Sequence, residues 1–290
     1  MKVGIAGIGR MGAAIAARLS SVGHEMMVWN RSADKARATG LKVAATPSAL
    51  VDASDFIISI LTDANAVDAV YAEILKGNVK GKLFIEMSTV RPDVQRKLSS
   101  KMKAKQGRII ECPVGGTIGP AKEGKLFGFV GGDVADVARA KPLLDQMCRR
   151  VEHVGPAGAG ASMKLAINLP LLVYWQALGE ALSLIKHLNL GADKVMDILA
   201  DTSGAPAMIK NRGPMVAAAL AGKEGGAVTV NIDTMKKDLS EMAAEAAALG
   251  WSTPVTSAAL MSFAHASQAG LGAKDCVMLP VNWSSRPQKL

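Results

Sequence analysis

The chain has 290 residues, which is long enough for two domains with separate cores. Hydrophobic residues make up 49% and aromatic residues only 4%, so alanine and methionine fill much of the core, which favours helix packing over a β-sandwich. The net charge is +9, and much of the excess lies between Lys76 and Arg108. Stacking aromatic residues do not alternate with these cations, so we interpret them as a solvated face rather than a nucleic-acid-binding surface.

The cysteine spacing and the hydropathy of the chain indicate the cellular compartment of the protein. Cys112, Cys148 and Cys276 show neither metal-ligand nor disulfide spacing, which predicts no metal site and a reducing, cytoplasmic environment. The beginning of the chain has a strand pattern rather than a signal-peptide pattern. Polar residues interrupt the most apolar run, Leu165 to Leu178, which predicts that no segment spans a membrane.

A predicted strand, a glycine-rich turn and a predicted helix open the chain. The strand Lys2 to Gly7 runs into Gly7-Ile-Gly9-Arg10-Met11-Gly12, and a helical pattern follows from Ala13 to Val22. In this context the first glycine permits a tight turn, the second lets a pyrophosphate approach the backbone, and the third lets the helix pack on the strand. The helix N-terminus offers N–H groups to phosphates. We therefore predict that Gly7, Gly9, Arg10, Met11 and Gly12 bind a dinucleotide; the alternative is a structural turn.

The residues after the second predicted strand, Glu25 to Trp29, indicate which dinucleotide binds. NAD-binding domains usually carry a carboxylate at this point to hold the ribose hydroxyls. This chain instead has neutral Asn30, cationic Arg31 and the hydroxyl of Ser32, and Lys35 adds a second positive charge. The set suits a 2′-phosphate and predicts NADP, unless Arg31 merely points into solvent.

Strands and helices continue to alternate as far as Val154. The further predicted strands are Lys42–Ala44, Asp55–Leu61, Lys82–Glu86, Arg108–Glu111, Leu126–Gly131 and Arg150–Val154. The helices between them are Pro47–Val51 with Thr46 as cap, Ala64–Leu75, Arg91–Lys105 and Val134–Met147. This order predicts a doubly wound parallel sheet of Rossmann type. Ligands of such sheets lie at the carboxyl ends of the strands, so Leu61, Thr62 and the turns after Glu86 and Glu111 should border the cofactor.

The turn after Glu111 contains two adjacent glycines, Gly115 and Gly116, followed by Thr117 and a helix-like segment. Their backbone N–H groups could bind a carboxylate or phosphate, and that close approach favours a positive φ at one glycine. The alternative is an ordinary turn.

A long helix, Ala161 to Leu188, follows a glycine-rich stretch, Gly155 to Gly160, in which the backbone must pass close to another group. Lys164 and Asn168 are four residues apart and share one face of this helix. A lysine at the joint between two domains would face the cleft where small molecules bind; the alternative is a surface lysine and a capping asparagine.

No strand pattern follows Val154. We predict helices at Ala192–Ala200, Met215–Ala221 and Thr234–Leu249, and a final helix from Thr253, its predicted cap, to Ala269. The expected domains are 1–157, which binds NADP, and 158–290, which is all-helical. The second has alanine-rich faces and a row of large apolar residues (Leu165, Leu169, Leu172 and Trp175), which predicts a homodimer or homotetramer formed through it.

Four motifs occur in order along the chain. They are Gly7-x-Gly-x-x-Gly12, Glu111-x-Pro-Val-Gly-Gly116, Gly155-x-x-Gly-x-Gly160-x-x-x-Lys164-x-x-x-Asn168 and Lys237-Asp-Leu239. The set resembles the β-hydroxyacid dehydrogenase family, related to 3-hydroxyisobutyrate and tartronate semialdehyde dehydrogenases. The residues 29–32 and Met87-Ser-Thr89 look most like its NADP-using glyoxylate and succinic semialdehyde reductase branch.

The resemblance implies hydride transfer between NADP(H) and a small β-hydroxy acid or its semialdehyde or keto acid. Lys164 matches the catalytic acid and base, and Asn168 the residue that holds lysine and substrate. Thr89 and Lys237 match cofactor contacts. Gly115, Gly116 and Thr117 match the loop that binds the substrate carboxylate.

The chain departs from the family pattern in that loop. Glycine stands at position 115, where the family usually has serine, and Thr117 replaces a glycine. The lost hydroxyl keeps open an NADPH-dependent imine reductase on the same fold, although such enzymes depart at the lysine that this chain has at position 164. A second alternative is a module that binds NADPH without turnover.

Overall fold

The computed structural model describes residues 1–223 and 227–285. The chain divides into two compact units, Met1–Leu165 and Ala166–Leu290. The first is an α/β unit and the second is helical, which confirms the predicted fold class.

The first unit alternates short strands with helices. Its strands are β1 (Lys2–Ala6), β2 (Glu25–Trp29), β3 (Lys42–Val43), β4 (Phe56–Ser59), β5 (Leu83–Glu86), β6 (Arg108–Glu111), β7 (Val114–Gly115), β8 (Leu126–Gly131) and β9 (Cys148–Gly155). Its helices are α1 (Arg10–Ser21), α2 (Ala33–Arg37), α3 (Pro47–Asp52), α4 (Ala64–Ile74), α5 (Pro92–Ala104), α6 (Ile118–Glu123) and α7 (Val134–Met147), and α8 (Ala159–Ile185) begins in it.

The sheet has the order β3-β2-β1-β4-β5-β6-β8-β7, and β9 pairs with β8. All pairs from β3 to β6 are parallel, whereas β8 runs antiparallel to β6 and β7. The prediction of parallel strands is therefore confirmed from β3 to β6 and again for β9, which pairs parallel with β8. Beyond β6 the short chain segment through β7 and α6 returns β8 in the opposite direction. The strand order reverses between β1 and β4, which is where doubly wound sheets bind dinucleotides.

Both faces of this sheet are covered. β4 and β5 are buried along their whole length, as expected for strands with helices on either side. Neighbouring residues of a strand point to opposite faces, and Ile58 joins the cluster that contains Ile15 and Leu143, while Ile57 joins the cluster that contains Val67.

Within the residues that the structure describes, the second unit contains the rest of α8 and five further α-helices. They are α9 (Ala192–Ala200), α10 (Met208–Leu220), α11 (Ile232–Ala248), α12 (Pro254–Ala266) and α13 (Met278–Ser285). Within the described residues after β9, the β structure consists of one isolated bridge between Asn231 and Asp275.

The main differences from the predicted helices are at α10, at α13 and at one helix cap. Pro214 lies inside α10, which begins at Met208 rather than Met215. α13 was not predicted, so α12 is not the final helix. The capping prediction is confirmed at Thr46, whose hydroxyl accepts from the Ala49 N–H at 3.1 Å, and is wrong at Thr253, which makes no side-chain cap.

A buried ion pair organises the second unit. Arg212 Nη2 lies 2.5 Å from Asp275 Oδ1, and the guanidinium lies over the Trp175 ring of α8 at 5.7 Å from the ring centroid. Burial acts to raise the pKa of Asp275, but hydrogen bonds from the Thr229 and Val277 N–H groups and the charge of Arg212 hold it below its ordinary value. The pair thus ties α8 and α10 to the segment before α13.

By length and composition alone, Ala159–Leu188 is the one helix among the described residues that could cross a membrane, and 39% of its most apolar stretch is buried. The core helix of a soluble protein has the same properties. The absence of a membrane partner stays a prediction.

No group of three or more His, Cys, Asp or Glu that could hold a metal ion occurs in the described part of the chain.

Candidate active site

The glycine-rich turn between β1 and α1 is close-packed at two glycines and open at the third. Gly7 has φ 103° and donates its N–H to the Trp29 carbonyl at 2.9 Å. A Cβ on Gly7 would overlap the Ile60 carbonyl oxygen, and one on Gly12 would overlap the Gly7 carbonyl oxygen. A Cβ on Gly9, by contrast, would meet no atom within 4 Å. Gly9 is also the N-cap of α1 and leaves the first turn without a side-chain cap, so this helix end has both the space and the donors that a pyrophosphate needs.

Arg10 and Met11 begin α1, the first exposed and the second half-buried. Asn30 has a structural role that sequence reasoning did not predict. Its Oδ1 accepts from the Ile8 N–H at 2.9 Å, and its Nδ2 donates to the Ser32 carbonyl at 3.0 Å. Asn30 therefore fixes the glycine-rich turn against the turn that follows β2.

Two unpaired cations lie in or directly after that second turn. Arg31, Ser32 and Lys35 are all exposed, and neither cation forms an ion pair with any described residue. Lys35 lies at the start of α2, and the carboxylate beside it, Asp34, pairs with Arg37 at 2.7 Å. Arg31 and Lys35 are thus available to an anionic ligand.

The loops after β4 and β5 are joined through Ser88. Its hydroxyl accepts from the Leu61 N–H at 2.8 Å and donates to the Glu86 carboxylate. Thr62 is exposed and donates to Asp63, the cap of α4, at 3.1 Å. Thr89 follows Ser88 and is half-buried. The structure therefore brings the ends of β4 and β5 together, as the sheet order requires.

Two buried carboxyl groups lie side by side where β5 and β6 end. Glu86 and Glu111 are register partners in the sheet, and their side chains are 0% and 3% exposed. Burial raises the pKa of Glu86, which the hydrogen bonds from Ser88 and Gln95 only partly counteract. Sequence reasoning assigned no function to either glutamate, although a carboxylate at the end of an apolar strand is a detectable signal.

Glu111 caps the N-terminus of α8. Its Oε1 accepts from the N–H groups of Gly158 at 2.9 Å, Gly160 at 2.7 Å and Ala161 at 3.2 Å. Burial raises the pKa of Glu111 to about 7, with the three N–H groups acting in the opposite direction. A Cβ on Gly160 would overlap the Phe129 carbonyl oxygen. The prediction that this glycine-rich stretch passes close to another group is therefore confirmed, and the groups are Glu111 and β8.

The cap also explains where the two units divide. The division falls inside α8, whereas the predicted domains, 1–157 and 158–290, place this helix wholly in the second. The first turn of α8 is bonded to β6 through Glu111 and so belongs to the α/β unit. Lys164, half-buried in the second turn of α8, lies in the first unit, while Asn168 and Lys237 lie in the second.

The paired glycines after β6 differ from each other. Gly116 has φ 122°, which confirms the predicted positive φ. Gly115 pairs with Phe127, and a Cβ on it would make an ordinary contact of 3.6 Å with Phe129 Cε2, so the backbone does not require glycine there. Thr117 is exposed and stands at the N-cap position of α6 without a side-chain cap bond.

Comparisons with known proteins agree with this geometry. Residues 2–155 match the NAD-binding domain of 6-phosphogluconate dehydrogenase, and residues 158–280 match the NAD-binding domain of NADP-dependent 3-hydroxyisobutyrate dehydrogenase. The mitochondrial 3-hydroxyisobutyrate dehydrogenase of Drosophila melanogaster is 32% identical over 94% of this chain and 86% of its own. The chain belongs to the β-hydroxyacid dehydrogenase family. It is an NAD(P)-dependent oxidoreductase of the hydroxyacid dehydrogenase type, acting on CH–OH groups.

Two further similarities bear on the branch of the family. Glyoxylate/succinic semialdehyde reductase 1 of Arabidopsis thaliana is 30% identical over 95% of this chain and 96% of its own. The solved structure of the Mycobacterium tuberculosis 3-hydroxyisobutyrate dehydrogenase with L-serine has a TM-score of 0.84 at 26% identity and covers 97% of this chain and 98% of that one.

A more distant structural likeness is to an imine reductase. An imine reductase from Myxococcus stipitatus in complex with NADP+ has a TM-score of 0.65 at 18% identity and covers 96% of this chain and 98% of that one. At that identity the likeness shows a shared fold and no more.

The contrast between Gly9 and Gly12 is testable with one methyl group at each. Gly9→Ala should fold with a near wild-type melting temperature, because the methyl group enters open space, yet bind the dinucleotide on the order of tenfold more weakly by filling that space. Gly12→Ala should lower stability by about 1–3 kcal/mol, since its methyl group overlaps backbone. Thermal melts and fluorescence titration of the cofactor measure both effects. Equal behaviour of the two variants would contradict this assignment.

The raised pKa of Glu111 predicts a pH-dependent stability. The folded state binds a proton here that the unfolded state releases near the ordinary pKa, so stability falls as pH rises from about 4.5 to about 7. A shift of this size corresponds to at most roughly 3 kcal/mol. The melting temperature of Glu111→Gln minus that of the wild type should therefore be higher at pH 8 than at pH 5. A difference that is constant or falls with pH would show that the folded-state pKa of Glu111 is not raised.

Proposed function

We propose that this protein is a reductase that uses NADPH to convert a small semialdehyde or keto acid into the hydroxy acid, and that it runs the reverse reaction with NADP. The observation that carries the proposal is the position of Lys164, half-buried on a helix whose first turn is fixed by Glu111, with Asn168 buried one turn further along. The printed activities of the Drosophila and Arabidopsis relatives support the substrate class.

The turn after β2 supports NADP rather than NAD. A 2′-phosphate carries a negative charge that Arg31 and Lys35 can bind, and neither cation is occupied by another described residue. The nearby carboxylate of Asp34, at the start of α2, is engaged by Arg37. The adenosine end of the dinucleotide would therefore meet a net positive surface there, which favours the phosphorylated cofactor.

The chemistry assigned to Lys164 is proton transfer. When bound, NADPH supplies a hydride to the carbonyl carbon. The carbonyl oxygen becomes an alkoxide, and the Lys164 ammonium stabilises this charge and donates the proton that completes the alcohol. In the reverse direction the neutral amine takes the hydroxyl proton. Asn168, on the same helix face, would orient the amine without adding a charge.

We assign recognition of the substrate carboxylate to the backbone N–H groups of Gly115, Gly116 and Thr117. A backbone site does not depend on the hydroxyl that glycine at position 115 lacks. The same glycine favours the second candidate function, imine reduction, because a substrate without a carboxylate needs no hydroxyl at this position. Lys164 favours the hydroxy-acid reaction, and a substrate panel separates the two.

The cofactor prediction concerns Arg31. Arg31→Ala should weaken NADPH binding roughly tenfold to hundredfold, because a charge-assisted hydrogen bond to phosphate is worth about 1.5–3 kcal/mol, and should leave NADH binding nearly unchanged. Lys76→Ala, which removes an exposed cation that is ion-paired with Glu73, is the control and should alter neither. Equal losses for NADPH and NADH would show that Arg31 does not read the 2′-phosphate.

The catalytic prediction concerns Lys164. Lys164→Ala should lower kcat by on the order of 10²–10⁴, the usual contribution of a positioned acid and base, and should retain NADPH binding. Lys164→Arg should not restore activity, because a guanidinium does not release its proton in this range. Steady-state kinetics with NADPH and cofactor titration test both statements. An alanine variant with more than about a tenth of the wild-type kcat would rule out this role.

We also propose that the protein is a homodimer or homotetramer that associates through the second unit. Several large apolar side chains of that unit are exposed in the single chain, among them Leu184 (76%), Leu249 (65%) and Trp251 (74%). Burying them against another copy is favourable. Light scattering at micromolar concentration should give a mass of two or four chains, and a monomer mass would contradict the proposal.

A further inference from the structure

Glu111 anchors the helix that carries Lys164. A single carboxylate oxygen, Oε1, accepts three backbone N–H groups from the beginning of α8, from Gly158, Gly160 and Ala161. The contact spans 47 to 50 residues of sequence, so it joins the carboxyl end of a core strand to the helix rather than closing a local turn. The other oxygen, Oε2, is buried and has no hydrogen-bond partner among the described residues.

The anchor lies two hydrogen bonds from the Lys164 backbone. In an α-helix the N–H of one residue bonds the carbonyl four residues earlier, so the Lys164 N–H is held by Gly160. The Gly160 N–H in turn donates to Glu111 at 2.7 Å. A Cβ on Gly160 or on Gly131 would overlap a neighbouring oxygen, which shows how closely the first turn of α8 is packed on β8. The position of the Lys164 backbone is therefore set by the hydrogen bonds to Glu111 and by the packing of the helix on β8.

Holding the end of α8 with the buried carboxylate of Glu111 costs free energy. Burial raises the pKa of Glu111, so the three N–H groups do not fully offset the loss of water. Glu86 lies beside it on β5, and its charge acts in the same direction. The surface helix α7 of the same unit achieves its cap with Asp133, which accepts from the Ala135 N–H at 3.0 Å and is exposed. A buried carboxyl group kept despite this penalty is more typical of a functional position than of a stabilising one.

We propose that Glu111 is a positioning residue for Lys164: its carboxylate fixes the first turn of α8 and thereby sets where the Lys164 amine lies during proton transfer. The inference rests on the proposed function of Lys164. Displacements of about 1 Å in a catalytic group lower rates by as much as ~10²-fold, so a loosened first turn should appear in kcat before it appears in cofactor binding.

The test compares three variants of the whole protein. Glu111→Gln keeps the shape of the side chain but replaces the charge-assisted hydrogen bonds with weaker neutral ones. Glu111→Asp keeps the charge and shortens the reach by one methylene, and it serves if the glutamine variant does not fold. Asp133→Ala removes a cap from α7, which carries none of the proposed site residues, and is the matched control.

The measurements are kcat, the dissociation constant for NADPH and amide hydrogen exchange over residues 156–165. We expect Glu111→Gln to lose on the order of tenfold or more in kcat, keep NADPH binding within about twofold, and exchange the Gly160 and Ala161 amides faster. Glu111→Asp should show the same changes to a smaller extent. Asp133→Ala should melt at a lower temperature and keep the wild-type kcat.

Three results would overturn the inference. The first is a wild-type kcat in both Glu111 variants. The second is a loss of kcat that is matched by an equal loss of NADPH binding, and the third is a loss of kcat that occurs without faster exchange at the start of α8. The failure of the proposed function is distinguishable from these results. It would appear as an active Lys164→Ala variant, whatever the Glu111 variants do.

Discussion

The hydrogen bonds between Glu111 and the first turn of α8 are the constraint on which the site depends. A Rossmann-type sheet positions the loops at the carboxyl ends of its strands. Lys164, however, is on a helix that extends beyond the α/β unit. Because Oε1 of Glu111 holds three amides of that helix, the end of β6 determines where the helix begins. Glycine is then a steric requirement at both positions: Gly158 has φ 99° and a Cβ on it would meet Arg96 and Pro92 of α5, whereas a Cβ on Gly160 would overlap the Phe129 carbonyl oxygen of β8.

Hydrogen bonds between loops also fix neighbouring turns along this edge of the sheet. Asn30 joins the glycine-rich turn after β1 to the turn after β2, and Ser88 joins the loops after β4 and β5. Each junction uses a short polar side chain that accepts a backbone N–H and donates to an oxygen. Neighbouring loops are therefore fixed to one another, while Gly9 and the two unpaired cations are left for a ligand.

Much of the first unit was predictable because its signals are local. The glycine spacing, the apolar strands and the Thr46–Pro47 helix start each depend on a few adjacent residues, and the structure has them as expected. The reversed direction of β8, the Glu111 cap and the second role of Asn30 were not predicted, because each depends on pairing between distant segments. In the helical unit, the helix predicted from Met215 begins at Met208 and continues through Pro214.

The most direct test of the proposed function is the rate of NADPH oxidation with a panel of carbonyl substrates, measured by the absorbance of the cofactor. The panel contains glyoxylate, succinic semialdehyde and the semialdehyde of 3-hydroxyisobutyrate, with a cyclic imine as the competing class and NADH as the competing cofactor. The proposed function predicts steady turnover of at least one of the acids, faster with NADPH than with NADH. Turnover of the imine alone would contradict the proposed function, and tight NADPH binding without turnover of any substrate in the panel would favour a binding module.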